Sequence, residues 1–267
     1  DLGFGYGYQF TSDNFCELAK HVVRVNGEMS KYFGRSNHNL ASDALIKFFG
    51  KKSTIRVNGL LNADKRMVKV SEGYAAGYNH YLENIPQGMH QACINAEWLR
   101  PIDLYDVARM SVYITLLASF SDPRIANAVL ALGIEEDNEQ SALNLEKFTL
   151  SESMGSNSYA LGSEVTQTGQ AMLLGNPHYP WRGQRRFYQV HMTIPEEINV
   201  MGITILGSPL INVGFTEKFA WTHTVSNANR FTLYELDLND QDRKIYTYNQ
   251  KRTKIKSFPV DIEVKDE

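Results

Sequence analysis

Cysteine is scarce in this sequence, and so are long apolar runs and an excess of either charge. The 267 residues include two cysteines, Cys16 and Cys93, which are too few for a thiolate metal cluster and too far apart for a CxxC redox motif. They form either two buried thiols or one disulfide. Their number alone leaves both alternatives open, with the thiols slightly favoured.

The charge balance and the apolar runs exclude two classes of protein. There are 27 lysines and arginines against 30 aspartates and glutamates, so no basic excess points to a nucleic-acid partner. The longest apolar stretch, residues 110–120, is shorter than the ~20 residues that span a bilayer, so we expect no membrane span. The first residues lack the basic and apolar regions of a secretory signal, so any encoded signal is expected to have been removed.

Two common catalytic motifs are also missing. The G-x-S-x-G motif of α/β-hydrolases is absent, because the serine at 156 has a glycine directly before it and none two positions after it. The seven histidines include no HExxH pattern, so we expect no zinc site.

The first half of the chain has apolar residues at helical spacing, and the second half does not. Helices are predicted from Ser12, which would cap the first turn, from Ser42, over residues 63–82, after Pro101 and from Pro123. Residues 135–153 are acidic, contain serine and asparagine, and have little periodicity, which predicts a surface linker.

Short runs rich in β-branched and aromatic residues follow, separated by turn-forming residues. The spacing favours hairpins rather than βαβ crossovers, with turns at 166–169 and 239–242. The sequence therefore predicts an α+β protein with a helical first part and antiparallel strands after it. The predicted strands are 158–162, 171–174, 187–194, 198–206, 219–225 and 231–238.

Three places in the second half offer reactive side chains. Ser156 follows the linker, and a cut before it would free an α-amine that titrates near ~8 and serves as a general base. His178 lies in a loop held by two prolines, and His223 lies in a predicted strand. Each has an ordinary structural alternative: a loop serine, a hydrogen-bonded loop histidine and a half-buried strand residue.

An ordered series of segments carries a resemblance to a known family. In the second half the segments are 155–163, 169–174, 176–181, 186–191, 200–202, 212–215 and 220–225. The first half matches more loosely, through segments that include Gly3 to Tyr8, Glu72 to Asn79 and Trp98 to Arg100. On these segments the chain resembles the penicillin acylase family of N-terminal nucleophile hydrolases, and within it the acyl-homoserine lactone acylases.

The resemblance implies an αββα fold and a precursor that cuts itself between Gly155 and Ser156. Residues 1–134 would form the helical α-chain part, 135–155 a spacer that is cut or removed, and 156–267 the start of the β-chain. Relatives extend beyond the matched region at both ends, so we expect this chain to be one piece of a larger product, inactive and prone to association by itself.

The resemblance also assigns roles to individual residues. Ser156 would be the nucleophile and its own α-amine the base, while a side-chain oxyanion donor, an asparagine in relatives, would lie beyond this sequence. No metal is expected, because Ala228 and Phe231 offer no carboxylate near the family's calcium positions. The remaining roles are orientation of the nucleophile by His178, an oxyanion N–H from Val225, substrate binding by Tyr179 and Phe187, and a disulfide between Cys16 and Cys93.

The implied activity is removal of an acyl chain from a small-molecule amide without a cofactor, with an N-acyl-homoserine lactone as the expected substrate. Its alternatives are deacylation of a β-lactam or an acylated peptide, and a non-catalytic member that stays uncut and binds acyl chains. Members are exported, so the resemblance implies a periplasmic or secreted protein made of α and β chains from one precursor.

Overall fold

A computed structural model describes residues 1–60, 62–119, 155–183, 185–225, 234 and 236–265. A helical part is followed by antiparallel strands, in agreement with the sequence prediction. The predicted helix from Pro123, the linker up to residue 154 and most of the predicted strand 231–238 lie outside the described residues.

Six α-helices lie within the described residues of the first part, 1–60 and 62–119. Ser36 accepts a hydrogen bond from the backbone N–H of Asn39 and caps α3, and Asp64 caps α5 through the N–H of Arg66. A π-helical segment, Arg56–Leu60, follows α4. The helices are α1 Leu2–Val25, α2 Met29–Phe33, α3 Asn37–Phe49, α4 Lys52–Ile55, α5 Lys65–Glu83 and α6 Leu104–Ser119.

Helix α1 begins at Leu2, ten residues before the predicted start at Ser12, so that prediction is wrong. Its first turns contain glycines, which have poor intrinsic helix propensity. Tertiary packing explains why glycines occur here. A Cβ on Gly3 would collide with the backbone of α5 at Val70, and a Cβ on Gly7 would collide with it at Tyr74. The glycines therefore allow α1 and α5 to approach closely.

The main core lies between α1, α5 and α6 and extends to the strands. Tyr6 donates a hydrogen bond to the carbonyl of Ser208 at 3.0 Å, which joins α1 to the end of a strand in the second part. Both parts of the chain thus share one core. Its buried residues include Phe10, Leu18, Val22, Tyr74, Tyr78, Val107, Met110, Met192 and Leu206.

Three antiparallel sheets follow in the part of the chain that the structure describes after residue 154, and β3 coincides with its predicted range. The predicted strand 219–225 is shortened to two residues, and β5, β7 and β8 were not predicted from the pattern. The sheets are β1–β2, β3–β4–β5–β6 and β7–β8. Their strands are β1 Ser156–Leu161, β2 Met172–Pro177, β3 Phe187–Ile194, β4 Ile198–Ile205, β5 Val213–Phe215, β6 Ala220–Trp221, β7 Ile245–Tyr248 and β8 Lys251–Lys254.

After β8 the chain returns to the helices as a segment without helix or strand, residues 258–265, which we call the strap. Lys47 donates a hydrogen bond to the carbonyl of Asp261 at 2.6 Å, and Lys31 pairs with Glu263 at 2.7 Å. The backbone N–H of Lys265 bonds the carbonyl of Ser30 at 3.1 Å. The strap therefore fixes the far end of the strand part to the helical part.

A disulfide joins Cys16 of α1 to Cys93 in the loop before α6, as the resemblance implies. It lies beside a small cluster that contains Phe15 and Tyr81. No helix within the described ranges is both long and apolar enough to cross a membrane.

Candidate functional site

The Gly155–Ser156 peptide bond lies at the start of β1 and faces the end of β2. Ser156 pairs with Pro177 in the ladder, so the preceding residue comes opposite His178. The carbonyl oxygen of Gly155 accepts a hydrogen bond from the backbone N–H of His178 at 3.0 Å and another from the Ser156 hydroxyl at 2.6 Å. Two donors thus polarise the carbonyl of the bond at which the sequence predicts cleavage, and one of them is the predicted nucleophile.

The imidazole of His178 lies beside Gly155 and two asparagines. Its Nδ1 is 3.5 Å from the position that a Cβ on Gly155 would occupy. Its Nε2 lies 3.3 Å from Nδ2 of Asn157 and 3.2 Å from Nδ2 of Asn176. The structure therefore brings three predicted site residues, Gly155, Ser156 and His178, into one group.

A close contact joins β2 to the chain after β6. A Cβ on Gly175 would lie 2.7 Å from Oγ1 and 3.0 Å from Cβ of Thr222, so only glycine fits there. Oγ1 of Thr222 is buried and has no hydrogen-bond partner among the described residues. This contact brings the start of segment 222–225 to the strand that precedes His178.

The segment 222–225 is not a strand, which corrects the sequence prediction. Its neighbour Trp221 directs its indole N–H to the carbonyl of Asn212 at 2.9 Å, and Thr222 packs on Gly175 instead of extending the ladder. His223 is exposed, and Val225 is half-buried at the last described position before residue 226. The oxyanion role of the Val225 N–H stays a prediction.

Tyr179 and Phe187, the predicted substrate-binding residues, are brought together. Their rings stack with centroids 4.6 Å apart and planes 26° apart. Both side chains are half-buried, and Tyr179 directly follows His178. The pair forms an apolar surface next to the imidazole.

Helix α1 anchors the beginning of β3 and so positions Phe187. The helix is kinked at Asn14, whose backbone has φ −131° and ψ 21°, and the side-chain oxygen of Asn14 accepts a hydrogen bond from Arg186. Tyr188 donates to the carboxylate of Asp13 at 2.6 Å. Burial, followed by this hydrogen bond, raises the pKa of Tyr188 above its ordinary value, so the phenol keeps its proton and the contact.

Four residues of this site were not singled out from the sequence: Asn157, Gly175, Asn176 and Thr222. The predicted turn at 166–169 provides a signal for two of them. A hairpin centred on that turn would pair position 157 with position 178, and the structure pairs it with position 176, two residues earlier and on the same face. Nothing in the sequence pattern indicates the contact between Gly175 and Thr222, because it joins different sheets.

Residues that could hold a metal are sparse in the described part of the chain, where no group of three or more histidines, cysteines, aspartates or glutamates comes together. Ala228 and Phe231, used in the sequence argument about calcium, lie outside the described residues.

Comparison with known proteins identifies the family. The family model described as penicillin amidase matches residues 1–267. The chain belongs to the penicillin amidase family. This penicillin amidase family chain is 37% identical to the acyl-homoserine lactone acylase PvdQ of Pseudomonas syringae pv. tomato, over 99% of this chain and 36% of that protein.

Two other relatives match similar shares of this chain and of their own length. This family member is 38% identical to the acyl-homoserine lactone acylase PvdQ of Pseudomonas fluorescens Pf0-1, over 99% of this chain and 35% of that protein. It is 32% identical to the aculeacin-A acylase of Actinoplanes utahensis, over 98% of this chain and 36% of that protein. The chain thus spans about a third of the length of the curated relatives it matches.

Proposed function

We propose that this chain is the nucleophile-bearing part of a self-processing acylase that removes an acyl chain from an amide. The observation that carries the proposal is the Gly155 carbonyl, which accepts hydrogen bonds from the Ser156 hydroxyl and the His178 N–H in a member of the penicillin amidase family. The reaction has two steps. In both of them Ser156 is the nucleophile and His178 lies beside it.

The first step cuts the chain. Oγ of Ser156 attacks the carbonyl carbon of Gly155, the C–N bond breaks, and the hydroxyl proton passes to the serine nitrogen, so that an ester replaces the amide. The backbone N–H of His178, whose nitrogen is already 3.0 Å from the carbonyl oxygen, stabilises the negative charge that develops on that oxygen. Water then hydrolyses the ester and leaves Gly155 with a carboxylate and Ser156 with a free α-amine.

The second step is the acyl transfer. The α-amine of Ser156 accepts the hydroxyl proton while Oγ attacks the substrate's acyl carbon, and the amine part of the substrate leaves with a proton. Water hydrolyses the resulting acyl ester and releases the acid. The Val225 N–H supplies one oxyanion donor, and Tyr179 and Phe187 contact the acyl chain.

An N-acyl-homoserine lactone is the substrate that we favour, since two of the relatives reported above are named for it. Deacylation of an acylated peptide is the second candidate, because the third is named an aculeacin-A acylase. Hydrolysis of a matched panel, in which one acyl chain is attached to homoserine lactone, a peptide or a β-lactam nucleus, separates them.

The proposal includes the organisation of the molecule. Residues 1–134 belong to the α-chain, 135–155 to a spacer, and 156–267 to the β-chain of an αββα fold. A periplasmic or secreted location is supported by the Cys16–Cys93 disulfide, because disulfides persist in oxidising compartments.

The test compares wild-type gene product with Ser156→Ala by intact mass and by a denaturing gel. We expect two chains from the wild type, one of which begins at Ser156, and a single inactive chain from the variant. Ser158→Ala is a matched control, because Ser158 lies two residues further along the same strand, and it should be cut normally. Efficient cleavage of the Ser156→Ala chain would show that Ser156 is not the nucleophile.

A further inference from the structure

The two asparagines beside His178 occupy equivalent places on the hairpin. Asn157 and Asn176 are direct partners in the β1–β2 ladder, so their side chains project from one face. His178 is two residues after Asn176, and this spacing brings its ring to the same face. The ladder register therefore sets where both amides meet the imidazole.

Both amides present the same atom type to the ring. Nδ2 of Asn157 lies 3.3 Å and Nδ2 of Asn176 lies 3.2 Å from Nε2 of His178. An amide nitrogen is only a donor, so Nε2 has to accept. A proton on Nε2 would point at N–H groups, so the tautomer of the neutral ring that fits these contacts carries its proton on Nδ1.

The other ring nitrogen lies beside Gly155. Nδ1 is 3.5 Å from where a Cβ on that residue would be. We propose that Asn157 and Asn176 are positioning residues that hold the imidazole of His178 as the Nδ1–H tautomer, with its N–H on the side of Gly155. This inference rests on the proposed function, and it defines the side-chain Nδ1 of His178 as a donor on that side.

The donor role decides which group acts as the base. A ring with its proton on Nδ1 has no lone pair at that nitrogen, so His178 cannot take the proton of the serine hydroxyl through it. Proton abstraction in the mature enzyme is then left to the α-amine of Ser156. The asparagines thus act through His178 and need not touch the substrate.

The chain contains an internal comparison with the opposite arrangement. Nε2 of His191 lies 2.8 Å from the side-chain oxygen Oδ1 of Asn199, which only accepts. His191 should therefore hold its proton on Nε2. The two histidines lie in the same protein and differ in the amide atom that faces the ring.

The experiment reads the tautomers directly. Ser156→Ala gene product, labelled with ¹⁵N-histidine, is studied by long-range ¹H–¹⁵N correlation NMR, and His178→Gln and His191→Gln identify the two sets of signals. We expect a protonated Nδ1 in His178 and a protonated Nε2 in His191. A protonated Nε2 in His178 overturns the proposal.

Variants connect the tautomer to the reaction. In Asn157→Asp and Asn176→Asp an acceptor-only carboxylate faces Nε2, so the tautomer of His178 should reverse and self-cleavage in the otherwise wild-type chain should slow by about ten- to a hundredfold. Alanine at either position removes a donor without supplying an acceptor and should slow cleavage less. Asn199→Asp is the matched control and should leave cleavage unchanged.

The outcomes separate this inference from the proposed function. Aspartate variants that keep the Nδ1–H tautomer, or that reverse it and are cut at the wild-type rate, overturn the positioning role. A wild-type chain that is never cut contradicts the proposed function, whereas the NMR comparison of His178 with His191 still decides the tautomer.

Discussion

His21 should make the protein sensitive to acid. The side chain lies in α1 and is 1% exposed, with its ring edge-on to Tyr113 at 5.0 Å. Neither ring nitrogen has a hydrogen-bond partner within the described part of the molecule. Burial, and then the charge of Arg24, lower the pKa of His21 from 6.5 to about 3. The folded protein therefore keeps this ring neutral at pH values at which the unfolded chain protonates it.

The sign and size of the effect follow from linkage. Between the two pKa values the unfolded state binds more protons, so the contribution of His21 is fully present above pH 6.5 and is lost as the pH falls towards 3. At about 1.4 kcal/mol per pKa unit, the loss reaches roughly 5 kcal/mol near pH 3 and about 2 kcal/mol at pH 5.

Replacement of His21 by leucine isolates this contribution. Urea unfolding of wild type and His21→Leu, followed by tryptophan fluorescence, gives the free energy of unfolding of both proteins. The measurements are made at about pH 8.5, 7.5, 6 and 5, on both sides of the ordinary histidine pKa. The difference should stay constant between the two highest values and move by about 2 kcal/mol in favour of the variant at the lowest. Parallel curves over the whole range would refute the reasoning.

Three further predictions test other contacts. Gly175→Ala should slow self-cleavage and cost about 1–3 kcal/mol, because its Cβ would meet Thr222, and Thr222→Ala in the double variant should recover part of both; equal losses in the single and double variants argue against this contact. Reduction of Cys16–Cys93, which closes a 77-residue loop, should lower the free energy of unfolding by about 4 kcal/mol, measured by urea unfolding with and without reductant; an unchanged midpoint contradicts it. Asp106→Asn should lower the free energy of unfolding by about 3–5 kcal/mol in the same assay, because the partly buried Arg100 loses the carboxylate to which it now donates two hydrogen bonds. A loss below ~1 kcal/mol, as for an exposed ion pair, would refute this prediction.

The fold class could be predicted from the sequence because apolar periodicity changes near the middle of the chain. The strand Phe187–Ile194 was predicted in full, since its β-branched and aromatic residues are bounded by turn-forming residues. The start of α1 could not be predicted, because the glycines that disfavour a helix locally are there for contact with α5. The hairpin β7–β8 was missed because each of its strands has only four residues, and β8 consists of lysines, an arginine and a threonine with no apolar residue.

The candidate site was predictable in part for a similar reason. Ser156 and His178 stand out as residue types that carry chemistry, and the resemblance gave them roles. Asn157 and Asn176 act through their register, which depends on how a hairpin closes. The strand predicted through Val225 was wrong because a contact between sheets at Gly175 ends the ladder after Trp221.

The strap has a consequence for the timing of synthesis. Lys47 and its partner Asp261 are 214 residues apart in the chain. At about 5–20 residues per second, a ribosome needs roughly 10–40 seconds to make the intervening segment. For that interval the surfaces of α2 and α3 that later contact the strap are without it. A chaperone or a neighbouring molecule would meet the helical part in this unfinished form.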